Sequence, residues 1–232
     1  MLEAIKRDLK KAANPKQASI LQRFFKTGKG EYGDGDVFLG ISVPTQRSVA
    51  QRYVSASRRA ITALLASPIH EHRLTGALIL VLQFRGATEI TRTALYRFYI
   101  KNARRMNNWD LVDLTAPTFG EFLLDHDPTI IDHFASSHNL WERRIAVLFT
   151  FAFIRHNRYA ETLHVAKLLF EDEHDLIHKA VGWMLREVGK RSLHAEEQFL
   201  KRHYRAMPRT MLRYAIERFP ETKRKKYLEG LV

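Results

Sequence analysis

The chain has 232 residues, of which 45% are hydrophobic and 27% are charged, and it contains no cysteine. This composition suits a folded protein with a sizeable core, and it excludes a disordered chain, a small disulfide scaffold and a thiolate zinc site. Lys and Arg outnumber Asp and Glu by 38 to 25, which gives a net charge of +13. Such an excess favours a polyanionic partner, although a solvated basic surface would give the same charge.

No membrane-spanning segment is expected from the sequence. The longest apolar run covers residues 145–154 and includes Thr150, whereas a spanning helix needs about 20 apolar residues. Residues 1–15 form a charged amphipathic segment and lack the apolar stretch of a signal peptide. We therefore expect a cytoplasmic protein.

The hydrophobic pattern is helical from the N-terminus onward. Apolar residues recur three and four positions apart in most windows, and strand signals are sparse. Four glycines within residues 28–35 predict a mobile surface loop, because no phosphate-binding motif surrounds them. Six prolines stand where helices can begin or end: Pro15, Pro44, Pro68, Pro128, Pro208 and Pro220.

An internal repeat runs through the helices. Four segments share a cation followed by a small and apolar run, and they begin at Arg73, Arg144, Lys179 and Arg213. Their separations are 71, 35 and 34 residues, and residues 109–123 supply another apolar helix in the wide gap. This period predicts one all-α domain over 1–232, a superhelical stack of HEAT-like or armadillo-type helix pairs. The concave face of such a stack would be basic and would bind the partner.

The segment NNWDLVDLTAPTF, residues 107–119, has the most unusual chemistry. Trp109 and Asp113 are four residues apart and share one helix face, whereas Asp110 lies on another side. Pro117 should kink or break the helix beside Asp113. A carboxylate, an aromatic ring and irregular backbone together suggest a site; the alternative is a core Trp with an exposed Asp at a bent helix, which the segment taken alone favours.

Two later segments combine Trp with cations at helical spacing. Trp141 precedes Arg144 by three residues, and Trp183 lies between Lys179 and Arg186. Arg is suited to bidentate phosphate contact. We expect Trp141 in the core. Trp183 is either the aromatic centre of a basic face or a core residue flanked by surface charges.

A basic stripe is predicted near the C-terminus. Its cations recur at spacings of three to four residues and suit phosphate contact, or they belong to a solvated helix end. The stripe comprises Lys201, Arg202, Arg205, Arg209 and Arg213. The run His70-Glu71-His72 has the composition of a metal site but not its spacing, so no metal site is expected.

Four motifs together resemble the AlkD family of DNA alkylation-repair glycosylases. They occur in the family's order and separations across nearly the whole chain. The motifs are FLGISVPTQR (38–47), NNWDLVDLTAPTF (107–119), NLWERRIAVLF (139–149) and HKAVGWMLRE (178–187). The resemblance implies a superhelix of HEAT-like repeats that holds double-stranded DNA in its concave face. The implied reaction is hydrolysis of the N-glycosidic bond to a cationic N3- or N7-alkylated purine.

The resemblance also implies roles for individual residues. Asp113, Trp109 and Trp183 correspond to the family's catalytic residues, and Arg144 supports them at the DNA. The further expected DNA contacts are Lys179, Arg186, Ser42, Arg47 and Arg213. Gln can stand where this chain has Ser42, and Tyr where it has Phe24, so DNA-contact detail and lesion preference can differ here. We expect a monomer that needs no cofactor.

A binding module is the rival interpretation. A basic array of helix pairs could grip distorted or branched DNA without chemistry. The joint presence of Trp109, Asp113, Arg144 and Trp183 favours an enzyme, because a carboxylate on a phosphate-binding face would repel the ligand.

Overall fold

A computed structural model describes all residues of the protein, 1–232. The chain is all-α, as predicted, and its single β-bridge pairs Val37 with Ile69. The α-helices are α1 (Leu2–Lys11), α2 (Pro15–Phe24), α3 (Val43–Arg52), α4 (Arg58–Leu65), α5 (His70–Arg85), α6 (Glu89–Lys101), α7 (Trp109–Gly120), α8 (Ile130–Ala135), α9 (Leu140–Arg155), α10 (Ala160–Leu168), α11 (Asp175–Arg191), α12 (Leu193–His203), α13 (Arg209–Ala215) and α14 (Glu221–Glu229). Short 3-10 helices cover Ala103–Arg105, Glu121–Leu124 and Ile216–Arg218. None of the helices combines the length and the apolar character that crossing a bilayer requires.

Proline and side-chain caps set the helix starts. Helix α2 begins at Pro15, and the side chain of Asn14 accepts a hydrogen bond from the backbone N–H of Gln17 at 3.1 Å. Helix α3 begins directly after its cap Ser42, with Pro44 in its first turn. Proline suits the first turn because its φ is already helical and the N–H that it lacks has no intrahelical acceptor there. The predicted starts at these prolines are confirmed.

The repeat segments occupy alternate helices of the fold. The four cation-led runs begin in α5, α9, α11 and α13, and residues 109–123 form α7 and most of the 3-10 helix after it. Helices α5 and α9 are buried on almost every side, whereas the intervening α6 and α10 bury only a few residues. The prediction of two helices per repeat is confirmed, because each core helix is followed by a more exposed one.

The helices form two compact units, residues 1–115 and 116–232, with the boundary inside α7. In the first unit, α1, α3, α4 and α6 pack around α5. In the second, α9 and α11 form the centre, and α13 packs on α11. Gly182 permits this close approach, because a Cβ there would lie 2.4 Å from the carbonyl oxygen of Met211.

The sequence predicts a kink or a break of α7 at Pro117. The helix does not break there but continues to Gly120 and passes into a 3-10 helix. Proline removes one N–H from the helix, and the packed surroundings compensate for it: Pro117 and the three residues after it are buried.

The C-terminal basic stripe differs from the prediction. Its residues do not share one helical face, because Pro208 ends the turn after α12 and a new helix, α13, begins at Arg209. Arg205 and Arg209 donate hydrogen bonds to the backbone carbonyls of Gly230 and Leu228, at 3.2 and 2.6 Å. These two guanidinium groups therefore hold the C-terminal residues.

Candidate functional site

A pocket of about 730 Å³ in the first unit contains the predicted Trp109–Asp113 pair. Both residues are half-buried and lie one turn apart on α7, as their spacing predicted. The exposed Ser42 and Phe24 line the same pocket. Ser42 also caps α3, since its hydroxyl accepts from the backbone N–H of Thr45 at 3.4 Å. The structure thus brings together one predicted carboxylate, one predicted indole and one predicted DNA contact.

An aromatic stack supports the indole of Trp109. Its ring lies face to face with that of Phe25, at 5.0 Å between centroids, and Phe25 stacks on Phe38 at the same distance. Phe38 in turn stacks on the imidazole of His70 at 4.5 Å. Phe24 meets Trp109 edge to face at 5.9 Å. Packed aromatic rings therefore cover one face of the indole and hold it in place.

A buried ion network lies at the other end of this stack. His70 Nε2 is 2.8 Å from Asp110 Oδ2, and His70 Nδ1 is 3.4 Å from Asp36 Oδ2. Arg73 Nη2 is 2.6 Å from the same Asp36 oxygen. Asn108 donates to it as well, from Nδ2 at 3.3 Å. All five residues are at most 6% exposed, so the opposite charges face one another out of water.

The network fixes the ionisation of its members. Burial opposes the charged form of His70, but its hydrogen bond and charge interaction with Asp110, together with Asp36, raise the pKa of the imidazole. Burial also opposes the charged form of Asp36, but His70, Arg73 and Asn108 outweigh it and lower the pKa of that carboxyl. The contacts therefore favour the protonated form of His70 and the ionised form of Asp36.

Glu71 is a further buried carboxylate, and it shapes the pocket wall. Glu71 accepts hydrogen bonds from the backbone N–H groups of Leu39, Gly40 and Ile41 at 2.9, 2.7 and 3.1 Å. Gly40 has a φ of +81°, and a Cβ there would lie 2.1 Å from the carbonyl oxygen of Asn14. Only glycine fits that position, so the chain can pass closely over α2 and present Ser42 to the pocket.

The glycine-rich residues 28–35 form a series of turns closed by their own acidic side chains. Glu31 accepts from the backbone N–H of Gly28 and Asp34 from that of Gly30, both at 2.9 Å. These hydrogen bonds use the loop's backbone donors locally. The predicted mobility of this loop stays a prediction.

The remaining predicted site residues belong to the second unit. Trp183 on α11 is half-buried, 6.2 Å from the Phe151 ring, and its Nε1 donates to Glu187 at 3.0 Å. Lys179 contacts Asp175 at 2.6 Å, and Arg186 forms an ion pair with Glu217. The two cations flank Trp183 on one face of α11, each held by a carboxylate.

Three further residues were singled out in the sequence. Arg144 is only 5% exposed, and its Nη1 donates to the carbonyl of Leu176 at 2.5 Å. Arg47 on α3 and Arg213 on α13 are exposed. Trp141 is 7% exposed, which confirms its expected place in the core.

Sequence reasoning missed the residues that support the pocket. Asp110, expected only to lie on another side of α7, contacts His70 and lines the pocket together with Asp113. The two carboxylate partners of His70, Asp36 and Asp110, lie 34 and 40 residues away from it in the chain, and no helical spacing reveals such contacts. The composition of His70-Glu71-His72 was the only signal. No group of His, Asp or Glu residues in the chain is arranged to hold a metal ion.

The arrangement at α7 suits the stabilisation of a positive charge. A carboxylate and the electron-rich face of an indole both attract cations, and a largely apolar pocket weakens screening by water. The rings of Phe24, Phe25 and Phe38 supply that apolar lining.

Comparisons with known proteins agree with this fold. A predicted DNA alkylation repair enzyme from Enterococcus faecalis is similar to the chain, with a TM-score of 0.72 and 20% identity over 90% of this chain and 97% of that one. AlkD2 from Streptococcus mutans is similar with a TM-score of 0.54 and 18% identity, over 89% and 98% of the two chains. No curated protein matches the chain at a significant level.

The family model described as DNA alkylation repair enzyme matches residues 5–219. The sequence identities to these solved structures are low, so the structures show the fold alone. The family match, by contrast, spans nearly the whole chain. It confirms the resemblance carried by the four sequence motifs. The chain belongs to the family of DNA alkylation repair enzymes.

Proposed function

We propose that the protein is a monofunctional DNA glycosylase that hydrolyses the N-glycosidic bond of cationic N3- or N7-alkylated purines in double-stranded DNA. The observation that carries the proposal is the place of Asp113 and Trp109, which line one pocket from the same face of α7. Family membership gives the substrate class, alkylated DNA. The net charge of +13 gives the electrostatic attraction to the duplex.

The reaction requires a negatively charged carboxylate rather than a general acid. Alkylation at N3 or N7 makes the purine a cation, so it leaves as a neutral base when the bond to C1′ breaks, without a general acid. The bond's electron pair goes to the base, and positive charge develops on the sugar, as in other glycoside hydrolyses. Asp113 stabilises this cation and orients the water that adds to C1′; the proton that this water loses passes to the carboxylate or to solvent.

The aromatic residues act on the same charge. The indole faces of Trp109 and Trp183 attract the developing cation, an interaction of about 0.5–2 kcal/mol per ring. The half-buried state of both side chains leaves part of each ring accessible. No lysine nucleophile is required, so no strand-cleaving step accompanies base release.

Phosphate contacts would position the duplex. Arg144, Lys179, Arg186, Ser42, Arg47 and Arg213 are the proposed DNA-binding residues. Such contacts fix the register but carry no base sequence, so binding should be salt-dependent and weakly sequence-dependent. The enzyme would act in the cytoplasm as a monomer without a cofactor.

The test is release of 7-methylguanine from a duplex by the wild type and by Asp113→Asn. Loss of one electrostatic contact in a catalytic site costs about 10²-fold or more, so base release should fall by that factor. Folding should be intact, and DNA affinity should be unchanged or higher because a carboxylate repels phosphates. Asp125→Asn is the matched control, since it removes one exposed carboxylate elsewhere.

Other outcomes decide against the proposal. No base release from any variant, with DNA binding retained, would identify a non-catalytic module for distorted or branched DNA. Equal loss of activity and of folded protein in Asp113→Asn would make Asp113 a structural residue.

A further inference from the structure

We propose that His70 is a positioning residue, which joins Asp36 to Asp110 and thereby holds the first turn of α7, with Trp109 and Asp113, in the geometry that the reaction needs. This inference rests on the proposed function for its effect on base release, but not for its structural part. His70 itself acts through other residues, because it contacts Asp110, the chain neighbour of Trp109, and Phe25, on which the indole stacks.

The imidazole is held on two edges and one face. Its two nitrogens meet the carboxylates of Asp110 and Asp36, at 2.8 and 3.4 Å. One face stacks on Phe38 at 4.5 Å between centroids, and the side chain is 2% exposed. Three separate segments therefore meet at one ring: the residues before α3, the start of α5 and the start of α7.

The network contacts both chain neighbours of Trp109. Asp110, the next residue, contacts His70 directly. Asn108, the preceding residue, donates from Nδ2 to Asp36 at 3.3 Å, and its Oδ1 accepts from the backbone N–H of Trp109 at 2.8 Å. The indole itself stacks on Phe25, whose ring is 5.0 Å from the His70 ring. A change at His70 therefore reaches Trp109 by three short routes.

The bridge requires both ring protons. A neutral imidazole donates from one nitrogen only, so it can satisfy one of the two carboxylates but not both. Arg73 also faces this group and contacts Asp36 at 2.6 Å. The neighbouring Glu71 carboxylate is engaged by three backbone N–H groups. Deprotonation of His70 thus leaves Arg73 to hold Asp36 while the link to Asp110 or Asp36 weakens.

The pH dependence has a definite sign. Burial opposes protonation, but Asp110 and Asp36 outweigh it and raise the pKa of His70 above the ordinary 6.5. The bridged imidazolium is therefore complete below pH 6.5 and is lost as the pH rises through the raised pKa. Positioning of α7 should weaken over that window.

The first measurement needs no enzymatic activity. The three tryptophans give three indole ¹H–¹⁵N signals, and Trp109→Phe assigns the one of interest. In the wild type this signal should shift with pH, with a midpoint above 6.5. His70→Phe keeps a ring on Phe38 but removes both hydrogen bonds, so the titration should disappear. In His72→Phe, the matched control, it should remain.

His72 is a suitable control because it lies on the same helix turn and is buried, yet its partner is a neutral hydroxyl. Its Nδ1 is 2.9 Å from Ser67 Oγ, and it does not line the pocket. Burial, the largest effect, lowers its pKa, so the two histidines shift in opposite directions.

The second measurement is single-turnover release of 7-methylguanine across pH at saturating DNA. Misplacement of a catalytic group by about 1 Å can cost about 10²-fold, so His70→Phe should slow release about 10- to 100-fold. The dissociation constant for DNA should change less than about twofold, because no phosphate contact is removed. The wild-type rate should fall as the pH rises through the pKa of His70. His70→Gln keeps a donor for one carboxylate but cannot titrate, so its rate should be intermediate and should lack this fall.

Each outcome decides the proposal. Wild-type rates and an unshifted Trp109 indole signal in His70→Phe would overturn it. If that variant does not fold, the wild-type titration decides alone, and a midpoint at or below 6.5 overturns the proposal. If no variant releases base while the indole titration is present, the proposed function fails and the positioning role stands.

Discussion

The two units each bury a glutamate, and they treat it in opposite ways. Glu71 in the first unit is 1% exposed, and its carboxylate accepts three backbone N–H hydrogen bonds. Glu196 in the second unit is 2% exposed, and its Oε1 is buried with no hydrogen-bond partner. Burial, with a smaller contribution from Glu197, raises the pKa of Glu196 to about 8. A buried carboxyl group that lacks hydrogen-bond donors is therefore costly to ionise.

The same contrast applies to the predicted site residues. In the first unit, backbone groups and buried ion pairs hold the pocket wall, and Asp113 and Trp109 line the open space. In the second unit, the cations beside Trp183 are half-exposed and already contact the carboxylates of Asp175 and Glu217. Buried partners thus hold the pocket wall of the first unit, whereas an anion would have to compete with carboxylates for the cations of the second unit.

The largest expected effect on stability comes from Glu71→Gln. The amide presents an NH₂ group to backbone donors and loses the charge, and hydrogen bonds to charged groups contribute about 1.5–3 kcal/mol each. We expect the free energy of unfolding to fall by about 2–4 kcal/mol at pH 7, measured by denaturant titration. A variant as stable as the wild type would show that these three hydrogen bonds are worth little.

The identical substitution in the second unit should act in the opposite direction. The pKa of Glu196 is raised in the folded state. Its contribution to the free energy of unfolding is therefore complete below about pH 4.5 and is lost as the pH rises through about 8. Glu196→Gln stays neutral, so it should remove this decline and stabilise the protein above pH 8. Thermal unfolding across pH measures it, with Glu221→Gln, an exposed glutamate, as the control. Parallel pH profiles for the wild type and Glu196→Gln would contradict the prediction.

A smaller effect is expected at the surface of the second unit. Asp175→Asn removes the carboxylate that Lys179 contacts at 2.6 Å. Exposed ion pairs are worth about 0–1 kcal/mol, so DNA affinity should rise by about two- to fivefold. The dependence of the binding constant on salt should become steeper, because one more phosphate contact forms.

The control for that measurement is Glu221→Gln, which makes the same change in net charge beside Arg224 on α14. Equal gains in affinity from both variants would mean that net charge alone acts, and that Lys179 has no special place at the DNA.

The sequence by itself determined the helices, their pairing and part of the site. Apolar spacing, cap residues and prolines act within a few positions of the chain, so α2, α3 and the repeat helices could be predicted. The pair Trp109–Asp113 followed from helical geometry in the same way. The four motifs were sufficient for the family, because they are specific residues in a fixed order.

Only the tertiary structure decided which charges lie together. The run His70-Glu71-His72 has only the composition of a metal site in the sequence. In the structure His70 bridges Asp36 and Asp110, and Glu71 accepts hydrogen bonds from the backbone of residues 39–41. Pro208 separates the C-terminal cations into two helices. Helix α7 continues through Pro117, which is buried. Hydrogen bonds and ion pairs depend on distance in space, and residues 30 to 40 positions apart come into contact only when the helices pack.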